Sequence, residues 1–177
     1  MSLSEEMSEL ARRARLASRR LTSLSTGEKN NCLQAMADAI EANAEFIQEE
    51  NAKDMDAGAA SGLSKSLLDR LLLNGARIEG MVTGLREVSE LPDPVGRVIE
   101  ERARPNGLKL TKIATPIGVI VIIYESRPNV TADAASLCFK SGNATILRGG
   151  KEAINSNQAI AKIMVQAATQ ALPEFPM

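Results

Sequence analysis

Cationic and glycine residues are concentrated in one short loop near the end of the chain, formed by Arg148, Gly149, Gly150 and Lys151. Adjacent glycines let a ligand approach the backbone closely. The two flanking cations supply the charge that suits a phosphate group. The loop lacks the spacing of the Gly-x-Gly-x-x-Gly and Gly-Lys-Ser/Thr phosphate motifs. It therefore indicates either a phosphate-binding site or a structural turn that carries two surface cations.

A second polar loop, residues 124–128, follows the longest aliphatic run of the chain, residues 117–123. Its Arg127 can bind a carboxylate or a phosphate through two parallel hydrogen bonds, or it can form a structural ion pair with Glu125. Both loops follow predicted strands, and ligands of open α/β sheets bind outside the carboxyl ends of the strands. We therefore expect the two loops to form one candidate site.

The composition excludes several kinds of site. The chain has no histidine, so Ser–His and Cys–His nucleophile pairs cannot form within it. Its two cysteines, Cys32 and Cys138, cannot make a zinc site without histidine, and they are typical of a cytoplasmic protein with reduced thiols. A net charge of −1 and 2% aromatic residues argue against binding to nucleic acid. The aliphatic runs are shorter than the roughly 20 residues that a membrane-spanning helix needs.

The first 95 residues predict helices. Apolar residues recur three and four positions apart over residues 2–24, which indicates an amphipathic helix. Ser25 and Glu28 have the spacing of a capping box at the start of a second helix, whose apolar stripe extends to Ile47. Residues 51–66 are polar and contain glycine, so we expect a connection there.

Two further helices and a hairpin are expected next. The leucine-rich residues 67–73 should end at Asn74 and Gly75, a pair typical of helix C-termini. Apolar spacing over residues 78–88 predicts another helix. Residues 97–114 then indicate a strand, a turn and a strand, because they contain an Asn-Gly pair. Such a hairpin is marginally stable by itself and is a candidate oligomerisation arm.

The rest of the chain alternates strand and helix. Residues 117–123 are β-branched on both faces, as expected of a buried parallel strand. Helices over residues 129–141 and 156–171 flank a second strand over residues 144–147. Two parallel strands cannot bury helices on both faces of a sheet. The order therefore predicts an α/β fold that is incomplete within this chain.

Motifs spread over the whole chain resemble the γ-glutamyl phosphate reductase family of the aldehyde dehydrogenase superfamily. They include Glu-Ser-Arg-Pro-Asn at residues 125–129 and Arg-Gly-Gly-Lys-Glu-Ala at residues 148–153. The resemblance implies N-terminal helices plus an incomplete Rossmann-like parallel sheet. It assigns residues 1–95 and 116–177 to an NADP-binding domain and residues 96–115 to an oligomerisation hairpin. The catalytic domain is then absent from this chain.

The family reduces γ-glutamyl phosphate to glutamate 5-semialdehyde with NADPH, a step of proline biosynthesis. A cysteine thiolate attacks the acyl phosphate, and the resulting thioester receives the hydride. Neither Cys32 nor Cys138 matches the motif of that cysteine. The resemblance therefore implies a nucleophile outside these residues and an inactive chain when it is isolated. It also implies a homo-oligomer and is compatible with glutamate kinase as a partner.

The resemblance gives roles to individual loop residues. Arg148 falls where many superfamily members have a lysine that contacts the adenosine ribose, and Lys151 falls where NAD-preferring members often have an acid. Two cations there, flanking Gly149 and Gly150, imply a preference for the 2′-phosphate of NADP(H). Asn129 is the nearest match to the asparagine that stabilises the oxyanion in the superfamily, although it can equally cap the following helix.

Two other functions fit the same residues. The first is a non-catalytic module that uses this fold for dimerisation or regulation. The second is an aldehyde dehydrogenase that acts on a different acyl substrate. The continuation of the reading frame distinguishes the module from an enzyme, because an enzyme requires the cysteine motif downstream.

Overall fold

The computed structural model describes residues 2–175. Five helices come first, an antiparallel hairpin follows, and a strand–helix–strand–helix unit completes the described chain. The elements are α1 Leu3–Leu21, α2 Thr26–Ala42, α3 Ala44–Ala60, α4 Lys65–Leu71, α5 Gly75–Glu90, β1 Val98–Ala103, β2 Lys109–Ile113, β3 Val119–Ile123, α6 Asn129–Lys140, β4 Ala144–Arg148, a 3₁₀ helix Lys151–Ala153, and α7 Ile154–Ala171.

Side-chain caps determine where the first two helices begin. The Ser25 hydroxyl accepts a hydrogen bond from the Glu28 backbone N–H at 3.2 Å, and the Glu28 carboxylate accepts one from the Ser25 backbone N–H at 2.8 Å. The predicted capping box is thus confirmed. Ser2 and Glu5 form the same arrangement at the start of α1. Each box satisfies two backbone donors that the helix itself leaves without partners.

The prediction of a connection over residues 51–66 was wrong. Most of that segment belongs to α3, which is separated from α2 only by Asn43. The buried positions of α3 are Ile47, Asn51, Asp54 and Gly58, which follow one another at the four-, three- and four-residue spacings of one helix face. Three of those four are polar or lack a side chain, so the inward face carries no apolar periodicity. The helix is therefore held by buried polar contacts that a hydrophobic pattern does not reveal.

Asn74 and Gly75 begin a helix instead of ending one. α4 ends earlier, at Leu71, and the Asn74 side-chain oxygen accepts a hydrogen bond from the Arg77 backbone N–H at 3.0 Å. Asn74 is extended, as an N-cap residue is, and Gly75 is the first residue of α5. Asparagine is favoured at both helix ends, and the sequence pair alone does not distinguish them.

The predicted hairpin is confirmed. β1 and β2 pair antiparallel, with Val98 opposite Ile113 and Ala103 opposite Lys109. Gly107 has a φ of +84°, which an L side chain rarely adopts, and the turn closes with the Arg104 N–H donating to the Leu108 carbonyl at 2.8 Å. Every residue of both strands is exposed. The hairpin therefore has no packing partner within the described chain.

β3 and β4 are parallel and adjacent, in register from Val119 opposite Ala144 to Ile123 opposite Arg148. The prediction that the first of these strands is buried was wrong for the described residues, because Val121 is 60% exposed and Ile123 is 72% exposed. The β-branched composition fits a strand with neighbours on both sides. Among residues 2–175 only β4 pairs with it, so part of its apolar surface remains uncovered.

The core lies between α2, α5, α6 and α7. It is aliphatic, and its fully buried side chains include Leu33, Ile40, Met81, Leu85 and Ile160. This agrees with a sequence in which aromatic residues are only 2%. Every helix within residues 2–175 is too short or too polar to cross a membrane.

A buried ion pair fixes the segment that leads from α5 into the hairpin. The Lys29 ammonium donates to both carboxylate oxygens of Asp93, at 3.1 and 2.9 Å, and the two side chains are 0% and 11% exposed. Burial acts to raise the pKa of Asp93, but hydrogen bonds from Lys29, the Val95 N–H and the Thr26 hydroxyl outweigh it, and the pKa lies below its ordinary value. The carboxylate therefore holds α2 against the base of the hairpin.

Replacing Lys29 by methionine should destabilise the protein strongly. Lys29→Met leaves the Asp93 carboxylate buried without its cation, which typically costs about 3–5 kcal/mol of unfolding free energy. Urea denaturation followed by circular dichroism measures this loss. The matched control is Arg86→Met, which removes an exposed cation paired with Asp38 and Glu41 and should destabilise the protein much less, because exposed ion pairs contribute little. Equal losses in the two variants would contradict a structural role for the buried pair.

Candidate functional site

The parallel pairing of β3 and β4 brings the two predicted loops together. Their carboxyl ends lie at the same edge of the sheet, and the Tyr124 backbone N–H donates to the Arg148 carbonyl at 3.1 Å, one residue beyond β3. The loop at residues 124–128 and the loop at residues 148–152 are therefore direct neighbours. We expected one site because ligands bind at this edge of an α/β sheet, and the structure places the two loops side by side there.

Side-chain hydrogen bonds join the two loops. The Ser126 hydroxyl donates to the Glu152 carboxylate at 2.7 Å. This hydrogen bond, the residue's own backbone N–H and nearby Lys151 lower the pKa of Glu152, so the carboxylate is ionised. The Tyr124 hydroxyl lies 2.7 Å from the Thr131 hydroxyl on α6, and burial raises the pKa of that phenol. The loops thus form a connected polar surface.

Gly149 and Gly150 are approached by the chain's own side chains. A Cβ at Gly149 would lie 3.0 Å from Cζ of Tyr124 and closer still to the Asn157 amide. A Cβ at Gly150 would lie 2.8 Å from the Glu152 carboxylate and closer still to the Ser126 hydroxyl. The sequence predicted close approach by a ligand, whereas the space that glycine leaves is filled by the neighbouring loop. The glycines therefore allow the two loops to pack together.

Arg148 and Lys151 extend from this packed surface into solvent. Both are exposed, and neither side chain forms an ion pair or a hydrogen bond with another of residues 2–175. In the neighbouring loop, Glu125 pairs with Arg70 of α4 at 3.0 Å, whereas Arg127 has no such partner among residues 2–175. Two unpaired cations at the carboxyl end of a parallel strand are suited to an anionic ligand.

The structure decides two alternatives that the sequence left open. Arg127 does not pair with Glu125, whose carboxylate contacts Arg70 instead. Asn129 does not cap α6, because the N-cap position is Pro128 and no side-chain cap is formed there. The Asn129 amide donates to the Asp133 carboxylate at 3.2 Å, one turn along the helix. The predicted Arg127–Glu125 ion pair and the predicted Asn129 cap are therefore not formed, and Asn129 makes a different contact within α6.

The two cysteines are placed as structural residues. Burial, and to a smaller extent the charge of Glu28, raises the pKa of Cys32 to about 11. Burial also raises the pKa of Cys138. A catalytic cysteine requires a lowered pKa and access to substrate, and both thiols have the opposite properties. Among residues 2–175, histidine, cysteine and carboxylate side chains form no group of three that could hold a metal ion.

The sequence did not predict a role for Asn51 and Asp54. Both form hydrogen bonds with the start of α7, the helix that follows the second loop. Asp54 accepts hydrogen bonds from the first turn of α7, and Asn51 donates to the Ser156 hydroxyl at 3.0 Å. Both lie on α3, in the segment predicted as a connection. Their three-residue spacing, continued by Ile47 and Gly58, is the signal that would have placed them on one helix face.

Adding a methyl group at Gly149 should separate the two loops. Gly149→Ala forces the Tyr124 ring or the Asn157 amide to move, and overpacking of this kind costs about 1–3 kcal/mol. Urea denaturation measures the change. Gly80→Ala is the control, because its Cβ on α5 meets nothing within 4 Å and alanine is favoured in a helix by up to about 1 kcal/mol. An unchanged stability for Gly149→Ala would contradict the close packing.

No protein-family model matches the chain. It is 56% identical over 175 residues to the γ-glutamyl phosphate reductase of Clostridium novyi, covering 98% of this chain and 42% of that protein. It superposes on the crystal structure of γ-glutamyl phosphate reductase from Saccharomyces cerevisiae with a TM-score of 0.90 and 40% identity, over 99% of this chain and 44% of that one.

A more distant structure shows the wider fold. The crystal structure of a probable aldehyde dehydrogenase from Listeria monocytogenes matches 98% of this chain and 36% of its own, with a TM-score of 0.66 and 16% identity. The chain thus spans less than half the length of the relatives that it matches, and it has the α/β fold of the aldehyde dehydrogenases. In sequence and in fold, the chain matches the N-terminal part of γ-glutamyl phosphate reductases.

Proposed function

We propose that this chain is the cofactor-binding part of an enzyme that reduces γ-glutamyl phosphate to glutamate 5-semialdehyde with NADPH, in proline biosynthesis. The similarity to γ-glutamyl phosphate reductases over nearly the whole chain supports the reaction. The observation that carries the cofactor assignment is that two cations at the carboxyl end of β4, Arg148 and Lys151, have no partner among the described residues. The enzyme's nucleophile lies outside these residues, because Cys32 and Cys138 are buried with raised pKa values.

The division of the chain follows from the same assignment. Residues 1–95 and 116–177 form the NADP-binding domain, which is incomplete here. Residues 96–115 form an oligomerisation hairpin, and the catalytic domain is separate. The exposed apolar surface of β3 supports this division, because Val121 and Ile123 need further strands or another layer to cover them.

The loop residues fit the cofactor by charge. Arg148 and Lys151 bind the 2′-phosphate of NADP(H) through charge-assisted hydrogen bonds. Glu152 is the nearest anion in the loop, and Ser126 holds its carboxylate against the neighbouring loop at 2.7 Å. The bound cofactor supplies the hydride for the reduction. NADPH should therefore be preferred to NADH.

The first loop provides groups for the substrate. Arg127 is exposed and unpaired among the described residues, and its guanidinium binds the carboxylate or phosphate of γ-glutamyl phosphate. The Asn129 amide can exchange its contact with Asp133 for a hydrogen bond to the developing oxyanion. Their position at the sheet edge next to Arg148 supports both roles.

We also infer a cytoplasmic homo-oligomer. Two free, buried cysteines suit a reducing compartment. Glutamate kinase is a reasonable partner, because an acyl phosphate is unstable in water and benefits from direct transfer. The hairpin supports assembly, since its apolar side chains, among them Leu108 and Leu110, have no cover within the described chain.

Removing either cation should weaken NADPH binding more than NADH binding. Arg148→Ala and Lys151→Ala each remove one charged contact to the 2′-phosphate, which corresponds to about a tenfold increase in the Kd of NADPH. Fluorescence titration of the full-length protein with each cofactor measures the two constants. Lys162→Ala on α7 removes an exposed cation far along the helix and is the control. Equal losses for NADPH and NADH would contradict the assignment.

A charge on the apolar face of the hairpin should dissociate the oligomer. Leu110→Asp places a carboxylate opposite Arg102, so the hairpin itself tolerates the change while the interface does not. Sedimentation velocity of the full-length protein should show a smaller species. The control is Thr111→Lys on the opposite face, where the new cation lies opposite Glu101. An unchanged sedimentation coefficient for Leu110→Asp would exclude the hairpin from the interface.

A further inference from the structure

We propose that Asp54 on α3 is a positioning residue for the cofactor loop, and that it sets the preference for NADPH over NADH by holding Lys151 in place. The proposal rests on the proposed function, in which Arg148 and Lys151 bind the 2′-phosphate. Asp54 does not touch the cofactor in this arrangement. It acts through the first turn of α7, which follows directly from the segment that carries Lys151.

The Asp54 carboxylate is buried and fully occupied. The residue is 2% exposed. Its Oδ1 atom accepts hydrogen bonds from the Asn155 backbone N–H at 3.2 Å and from the Asn155 amide at 2.8 Å. Its Oδ2 atom accepts hydrogen bonds from the Ser156 backbone N–H at 2.8 Å and from the Ser156 hydroxyl at 2.6 Å. One side chain on α3 therefore anchors two consecutive residues that lie 101 and 102 positions further along the chain.

The start of α7 has no cap of its own. Its N-cap residue is Ala153, which has no side chain able to accept a hydrogen bond. Asp54 supplies the missing acceptor from another helix, and its negative charge interacts favourably with the helix N-terminus. The 3₁₀ helix Lys151–Ala153 runs directly into α7 at Ile154. A shift in the first turn of α7 therefore moves the Lys151 backbone with it.

Asn51, one turn earlier on the same face of α3, extends the anchor to α4. Its amide nitrogen donates to the Ser156 hydroxyl at 3.0 Å and to the Leu71 carbonyl at 2.8 Å. Leu71 ends α4, whose Arg70 pairs with Glu125 in the first loop at 3.0 Å. α3 therefore contacts α4, which pairs with the first loop, and α7, which follows the second loop. The connection to the second loop is the stronger of the two, because its hydrogen bonds to Ser156 are buried, whereas the ion pair between α4 and the first loop is exposed.

Asp54 uses the backbone donors at the start of α7, and this limits how an anion can bind beside the helix. The Asn155 and Ser156 N–H groups are already bonded to Asp54. A cofactor phosphate at this edge of the sheet consequently depends on the side chains of Arg148 and Lys151 instead of α7 backbone donors. Discrimination between NADPH and NADH is therefore sensitive to where Asp54 places Lys151.

The test is the nearly isosteric Asp54→Asn variant of the full-length protein. Its amide replaces one acceptor oxygen with a donor, so two of the four hydrogen bonds are lost. We expect the Kd of NADPH, measured by fluorescence titration, to rise about tenfold while the Kd of NADH is almost unchanged. Hydrogen exchange in the absence of cofactor should be faster at the Asn155 and Ser156 amides. Asp56→Asn, an exposed position on the same helix, should change neither quantity.

A double-mutant cycle with Lys151→Ala separates positioning from general destabilisation. If Asp54 acts through Lys151, Asp54→Asn should not weaken NADPH binding further in the Lys151→Ala background. Additive losses, or equal losses of NADPH and NADH in the single variant, would overturn the positioning role. Should Asp54→Asn fail to fold, Asn155→Ala removes only one of the four bonds and should produce a smaller loss in the same direction.

The same measurements distinguish this proposal from the one on which it rests. No effect of Lys151→Ala or Arg148→Ala on NADPH binding would refute the phosphate site itself. A clear effect of Lys151→Ala together with none from Asp54→Asn or Asn155→Ala would refute only the positioning role of Asp54.

Discussion

The carboxylate of Asp54 joins the helical part of the chain to the strand–helix unit that carries the candidate site. A buried carboxylate is costly unless hydrogen bonds compensate it, and all four donors come from the first turn of α7. Within residues 2–175, no buried side-chain nitrogen or oxygen lacks a hydrogen-bond partner. The requirement to satisfy Asp54 therefore fixes α3 against α7, and with it the loop that follows β4.

The candidate site depends on that placement and on the absence of side chains at two positions. Gly149 and Gly150 let Tyr124 and Ser126 of the first loop pack directly on the second. The polar groups inside this contact are engaged with each other, whereas Arg148 and Lys151 remain in solvent. Because these contacts hold the two loops together, an anion that binds here has to order only the two exposed cationic side chains. Within four consecutive residues, the glycines allow the loops to pack, whereas the two cations extend into solvent.

Much of this arrangement is predictable from sequence because it depends on local patterns. Parallel strands were recognised from their β-branched composition, and their carboxyl ends necessarily meet at one edge. The failures have a common physical origin in contacts between distant segments. α3 was missed because its inward face is formed by Asn51, Asp54 and Gly58, whose partners lie about a hundred residues away in the case of Asp54. The partner of Glu125 was missed because Arg70 belongs to another helix.

The central claim is that the 2′-phosphate of NADP(H) binds to Arg148 and Lys151 on this surface. The most direct measurement is a crystal structure of the full-length protein with NADP bound. We expect the 2′-phosphate oxygens within about 2.7–3.2 Å of the Arg148 guanidinium and the Lys151 ammonium, with Asp54 still bonded to the start of α7. A 2′-phosphate bound elsewhere, with both cations in solvent, would contradict the claim.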